Sequence, residues 1–158
     1  MSQTAKQTID ATLSRVPSGL FVICAAHEDR RAARLTSWVQ QVCYEPPMIS
    51  VALGKGQPVM PLISESRQFG LCQLGADDRV MMRKFATPSE ADEDPFLGFD
   101  LVQETALDVP LLKNTLAQIE CTLVCHVDVE GDHDLFIGQV QNTVCHKGEP
   151  HVHIRAYE

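Results

Sequence analysis

A β-barrel carrying a few short helices is the fold class this sequence predicts, and three observations predict it. From Ile119 to Glu130 the chain alternates. Ile119, Cys121, Leu123, Cys125, Val127 and Val129 fall on one face, and Glu120, Thr122, His126, Asp128 and Glu130 on the other, with Val124 alone out of pattern. A period of two over that length marks a long, half-buried antiparallel strand. Gly131-Asp132 then makes a turn, and residues 135–145 return as the hairpin partner. Residues 20–26, 48–53 and 69–74 are apolar runs of strand length, whereas helical spacing is confined to short stretches. Many strands, few short helices and hairpins late in the chain point to a mainly β barrel.

Taken in order, residues 9–16 predict a short amphipathic helix with Asp10 near its start, ended by Pro17-Ser18-Gly19. Residues 20–26 read as a buried strand and 27–31 as a charged turn. Residues 33–42 lead, with polar Thr36, Ser37, Gln40 and Gln41 on what reads as a strand edge, to the Pro46-Pro47 corner. That corner is stiff because each proline fixes its own φ and restricts the residue before it. Residues 48–53 form the next buried strand. Gly54-Lys55-Gly56-Gln57-Pro58 is a loop, with Pro58 at a first helical position and a helix to about Ser66 that turns Leu62 and Ile63 inward. Residues 69–74 are a strand. Asp77 or Asp78 caps a helix through Phe85, with Met81 and Phe85 on one face. The acidic stretch 86–100, with Pro88, Pro95 and Gly98, reads as a surface loop. After the hairpin, Lys147-Gly148-Glu149 turns into a last strand over 152–155. No repeat or linker interrupts residues 1–158, which read as one domain.

Composition narrows the function classes. A hydrophobic content of 44% with 22% charged residues fits an ordinary globular protein. The net charge of −8 argues against nucleic acid or an anionic membrane surface as a bulk partner. An anionic ligand would need a local basic pocket. No run approaches the roughly 20 apolar residues of a membrane span, and the opening MSQTAKQTIDATL has no apolar core after a basic start, so a cytoplasmic location is expected. The six cysteines (24, 43, 72, 121, 125 and 145) contain no C-x-x-C pair, and four lie inside apolar runs, which favours free thiols.

Cys121 and Cys125, four apart on a strand, are expected to face the core too far apart to chelate one ion. His151 and His153 could share a strand face but lack a third ligand, so no metal is assigned. No G-x-S-x-G, no G-x-G-x-x-G opening a helix and no P-loop is present. Gly131-Asp132-His133 is either a polar hairpin turn or the carrier of a ring that exchanges protons near neutral pH. Arg83 and Lys84 are either a solvated helix end that complements the macrodipole or holders of a phosphate.

The pieces together resemble the flavin reductase-like family, the FMN-binding split barrels, over residues 10–157. The run Arg15-Val16-Pro17-Ser18-Gly19-Leu20 resembles the family's "R-F-P-T-G-V", and residues 62–69 resemble "L-I-x-x-S-x-x-F". Residues 48–53 resemble its "P-L-V-x-V" strand, Arg83-Lys84-Phe85-Ala86 resembles "R-R-F-A", and Pro110-Leu111-Leu112 with residues 116–121 resembles "P-L-L…A-L-A-x-L-E-C". Residues 131–140 resemble "G-D-H-x-I-F-I-G-E-V", the most specific single match. Residues 38–47 are similar to the "W-V-x-Q-V-S-F-x-P-P" run of a subset that includes domains attached to flavodiiron proteins.

The resemblance implies a split barrel with a Greek-key core, a homodimer, and FMN in a groove at the dimer interface. Arg34, Leu35, Thr36, Ser37 and Trp38 would line the isoalloxazine edge. Leu53, Lys55, Gly56, Gln57 and Pro58, with Arg83, Lys84, Phe85 and Ala86, would hold the ribityl chain and phosphate. NADH or NADPH would reduce the flavin, with His133 near the nicotinamide as the catalytic side chain, and a partner oxygenase or electron-transfer protein could receive the electrons. Four positions depart from the family pattern. Ala33-Arg34-Leu35-Thr36-Ser37-Trp38 stands where "G-M-T-A-S-W" is usual, so Leu35 lacks the threonine hydroxyl. The segment Gln57-Pro58-Val59-Met60 lacks the hydroxyls of the phosphate loop. Gln139 replaces a glutamate, and Ser18 a threonine. The rival expectations are an FMN-containing electron carrier that does not itself oxidise NAD(P)H, and a non-catalytic split barrel.

Overall fold

Strand β1 (Phe21–His27) is buried on both faces, and the architecture follows from that. In the computed structural model, which describes residues 1–90 and 92–155, the side chains of Phe21, Ile23 and Ala25 enter one core and those of Val22 and Cys24 enter another. A strand packed on both sides must be apolar throughout, which is why residues 20–26 show no alternation.

Around β1 the chain folds as α1 (Gln3–Leu13), β2 (Arg30–Thr36), β3 (Val39–Cys43), β4 (Met48–Gly54), α2 (Val59–Ser66), β5 (Gln68–Gln73), α3 (Arg79–Ala86), β6 (Ala117–Asp128) and β7 (His133–Cys145). The seven strands form one sheet in the order β2-β1-β5-β6-β7-β4-β3, with each neighbouring pair antiparallel. Its two edge strands, β2 and β3, are consecutive in the chain and joined only by Ser37-Trp38. The sheet must therefore curl until its edges meet, making a barrel with a seam at Ser37-Trp38. At the seam the Ala52 N–H donates to the Trp38 carbonyl at 3.0 Å.

The first core lies inside the barrel, around Phe69, Leu71, Phe136, Val51 and Leu53, and the buried face of α2 (Val59, Met60, Leu62, Ile63) closes it. The second packs Val22, Cys24, Cys72 and Leu74 against Phe85 of α3 and the segment holding Phe96, Val109, Leu111 and Leu112. Helix α2 ends at Arg67, which adopts φ 61° and is held there: its guanidinium donates to the Leu123 carbonyl at 3.2 Å, and its own carbonyl accepts from Leu123 N–H at 2.8 Å.

Five expectations are corrected. Helix α1 begins at Gln3 because the Ser2 hydroxyl accepts from Ala5 N–H, and none of its residues is buried, so its apolar residues have no core to enter in this chain. The charged turn is only Glu28-Asp29, and Arg30 and Arg31 already belong to β2. The alternation along β6 reverses at Val124, which has no partner between the pairs Leu123↔Gly138 and Cys125↔Ile137. It is a β-bulge, and an extra residue swaps the faces beyond it. His126 therefore stacks on buried Phe136 at 4.3 Å, Val127 is exposed, and Cys125 does not share the deep burial of Cys121. The stretch 86–100 is more than a surface loop, since Phe96 is 3% exposed and Phe96 and Phe99 pack their rings 6.3 and 5.3 Å from that of Phe85. Finally, residues 152–155 form no strand. They make a single bridge in which Ser18 and His153 exchange backbone hydrogen bonds of 2.7 and 3.0 Å.

All six cysteines are free. Burial pushes the Cys121 thiol up to about 12 and also raises Cys24, which keeps both protonated and inert as nucleophiles.

Candidate functional site at the barrel seam

The seam opens into a cleft of about 340 Å³ because three elements end there together. Strand β2 delivers Leu35 and Thr36, the seam itself supplies Ser37 and Trp38, and β4 ends at Leu53 and Gly54 beside His133, the first residue of β7. Gly54 and His133 are register partners. Gly54 is the floor: a Cβ there would lie 3.3 Å from the Gln57 amide nitrogen and 3.7 Å from His133 Nε2. Over this floor the Trp38 ring lies 4.7 Å from the His133 ring, tilted by 46°, and the indole is 49% exposed. A large aromatic half in solvent at a cleft mouth is positioned to contact a ligand.

His133 is oriented from outside. Its Nδ1 lies 2.8 Å from Asp132 Oδ1, and this hydrogen bond holds the Asp132 carboxyl below the usual carboxylate range. An ionised carboxylate only accepts, so Nδ1 donates and Nε2 faces the space over Gly54.

Arg34 and Pro58 line an adjoining cavity of about 680 Å³ between β2, α2 and the acidic segment after α3. Its rim is held by ion pairs from Arg31 to Asp94 and from Lys84 to Glu93, the latter at 2.9 Å. Three buried side-chain polar atoms lack a hydrogen-bond partner among the described residues: Arg34 Nη1 here, Gln57 Oε1 at the first cleft, and Asp134 Oδ1 near the Lys55 ammonium. Buried donors and acceptors are normally satisfied, so unmet atoms lining cavities are what a ligand would satisfy.

Leu35, Thr36, Ser37, Trp38, Leu53, Gln57 and His133 are thus brought together, and Arg34 and Pro58 lie next door. Lys55 and exposed Gly56 sit on the loop between β4 and α2, but the Lys55 ammonium is turned to Asp128, 2.8 Å away, and Asp134, 3.5 Å away. Arg83, Lys84, Phe85 and Ala86 line neither cavity. Phe85 is a core side chain at 1% exposure, able to offer a ligand only its backbone. Leu20, Ala52, His153 and Arg155 complete the first cleft and were not anticipated from sequence. The signal was the spacing of His151, His153 and Arg155, whose alternate residues share a face of an extended segment.

Residues 13–157 match the family model described as "Flavin reductase like domain". The chain belongs to this family. It is 28% identical over 142 residues to Diflavin flavoprotein A 1 of Synechocystis sp., covering 89% of this chain and 24% of that protein. It is 26% identical over 138 residues to FMN reductase (NADH) SmoA of Agrobacterium fabrum, covering 87% of this chain and 76% of that one. The flavin reductase-like chain thus spans about a quarter of the length of the diflavin flavoproteins it matches. In structure it is similar to nitrilotriacetate monooxygenase component B from Mycobacterium thermoresistibile, with a TM-score of 0.83 and 22% identity over 96% of this chain and 84% of that one. That likeness identifies the split-barrel fold. Among the described residues no helix is long and apolar enough to cross a membrane.

Proposed function

We propose that this chain is an FMN-binding flavin reductase that draws its electrons from NADH or NADPH. The observation that carries the reading is the convergence over Gly54 of an exposed indole, the free edge of His133 and the unpaired Gln57 oxygen. A flat ring with polar edges satisfies all three. Thr36, Ser37 and Trp38 would flank it, and Arg34, with its unpaired guanidinium N–H, would meet the phosphate. Bound FMN supplies the electron chemistry, while the chain binds it, orients it and controls solvent access. The Arg34 guanidinium takes up the task of the missing loop hydroxyls, since charge-assisted bonds from arginine suit a phosphate. Arg34→Ala is therefore expected to weaken FMN about tenfold while changing riboflavin, which lacks the phosphate, little. Isothermal titration of both flavins checks this, and equal losses would remove Arg34 from the phosphate.

The direct test is a visible spectrum during FMN titration, followed by NADH under anaerobic conditions. Binding followed by bleaching of the flavin band is the expected result. Binding without bleaching would instead favour a module that carries electrons for another protein. The observation favouring that second reading is the match to a quarter of the diflavin flavoproteins. A partner oxygenase fits the relative named as a reductase component of 4-nitrophenol 4-monooxygenase. A homodimer would cover the exposed Val124 and Val127 on the hairpin half of β6.

A further inference from the structure

The loop between β4 and α2 contributes Gln57 to one cleft and Pro58 to the adjoining cavity, so its position matters to both. It carries Gly56 at φ 85°, and neither Lys55 nor Gly56 is buried. Little packing holds it, yet it is fastened at one point. Lys55 N–H donates to the Asp132 carbonyl at 2.9 Å, one residue before His133. Its ammonium spans the carboxylates of Asp128, which ends β6, and Asp134, which follows His133 on β7.

That second carboxylate is built in rather than incidental. The Asp134 side chain is 10% exposed, its Oδ2 lies 2.8 Å from His126 Nε2, and the His126 ring is stacked on Phe136. Its Oδ1 makes no hydrogen bond among the described residues and has the Lys55 ammonium 3.5 Å away as its only ion-pair partner there. The Asp128 carboxylate is held in turn by Glu130 N–H at 2.7 Å, where φ 58° at Glu130 turns the hairpin. Two anchored carboxylates thus flank one cation. A phosphate dianion brought to that ammonium would meet both negative charges, so Lys55 is poorly placed to neutralise it.

We infer that Lys55 is a positioning residue, a latch that ties the loop holding Gln57 to the hairpin holding His133, rather than a ligand of the flavin phosphate. The inference rests on the flavin-binding reading for its functional consequence but not for its structural one. Through this tie, Gln57 and His133 keep a fixed spacing over Gly54. Both partners are needed for the latch, and its effect should reach every ligand of the cleft equally, with or without a phosphate.

The test uses the full chain as Lys55→Met, Asp128→Asn, the double variant and Lys55→Arg. Amide exchange over residues 54–58 is measured without flavin, then FMN and riboflavin affinity, then NADH oxidation at saturating FMN. Each single variant should speed exchange, lower turnover about two- to five-fold as befits a largely exposed pair, and weaken the two flavins by the same factor. The double variant should lose little more than the worse single variant, and Lys55→Arg should restore most of the loss. A tenfold greater loss for FMN than for riboflavin in Lys55→Met would overturn the latch, as would wild-type exchange in Asp128→Asn. Because exchange needs no flavin, a wild-type protein that binds neither flavin counts against the reductase reading, and the exchange data alone then decide the latch.

Discussion

Gly138→Ala is expected to destabilise the protein by about 3 kcal/mol, lowering the melting temperature by roughly 10 °C for a chain of this size. A Cβ at Gly138 would lie 2.5 and 2.6 Å from two ring atoms of Phe69 and 2.8 Å from Cys121 Cβ. Phe69 and Cys121 are both fully buried, so neither has space to move into. Strand glycines often mark the place where another group approaches the backbone closely, and here that group is an aromatic ring. The matched control is Gly131→Ala, whose new Cβ would meet nothing nearer than Val129 at 3.9 Å and should change stability by less than about 0.5 kcal/mol. Adding Phe69→Leu to Gly138→Ala should recover part of the loss, because the smaller side chain relieves the clash that the single change creates. Thermal denaturation of the four proteins checks the set. Equal stability of Gly138→Ala and the wild type would mean that the ring does not constrain β7.

That glycine also shows where sequence reasoning succeeds and where it stops. The run from Gly131 to Val140 is the most specific stretch of the chain, and it combines two unrelated jobs. His133 serves the cleft, whereas Gly138, five residues on, serves only packing. Spacing cannot separate them, because the ring that requires Gly138 comes from β5. The long hairpin was legible because half-burial imposes a period of two. Its far half was misassigned because one extra residue, Val124, swaps the faces, and a bulge looks from sequence like a single exception. The continuous run of β1 revealed burial but not the two cores that cause it. Phe96 and Phe99 were hidden among acidic neighbours, since composition averages over the few side chains that anchor the segment. The grouping of Leu35–Trp38 with Gln57 and His133 followed from resemblance, whereas the reason for it, two edge strands joined by two residues, required the topology. Spacing put His153 and Arg155 on one face of an extended segment but did not direct that face to the cleft. They reach it through the bridge with Ser18, a contact across most of the chain.

His133→Ala is expected to lower NAD(P)H oxidation about 100-fold at saturating FMN, the lower end of what a positioned acid–base group contributes, while weakening FMN by much less. The asymmetry follows from how the ring is held. Asp132 engages Nδ1, so Nε2 is the edge left to face a reactant. The Trp38 ring beside His133 and the backbone at Ser37-Trp38 and Gly54 persist in the variant, so most of the surface that would hold a flavin remains. Asp132→Asn separates orientation from chemistry. It keeps a hydrogen-bonding oxygen at the same place but removes the charge, and should cost turnover only about threefold, since the pair is exposed. Stopped-flow reduction of FMN-loaded protein by NADH, with FMN affinity measured separately, distinguishes these effects. An unchanged reduction rate in His133→Ala would leave the ring as a wall of the cleft. A loss confined to FMN affinity would make it a flavin contact with no part in the reduction step.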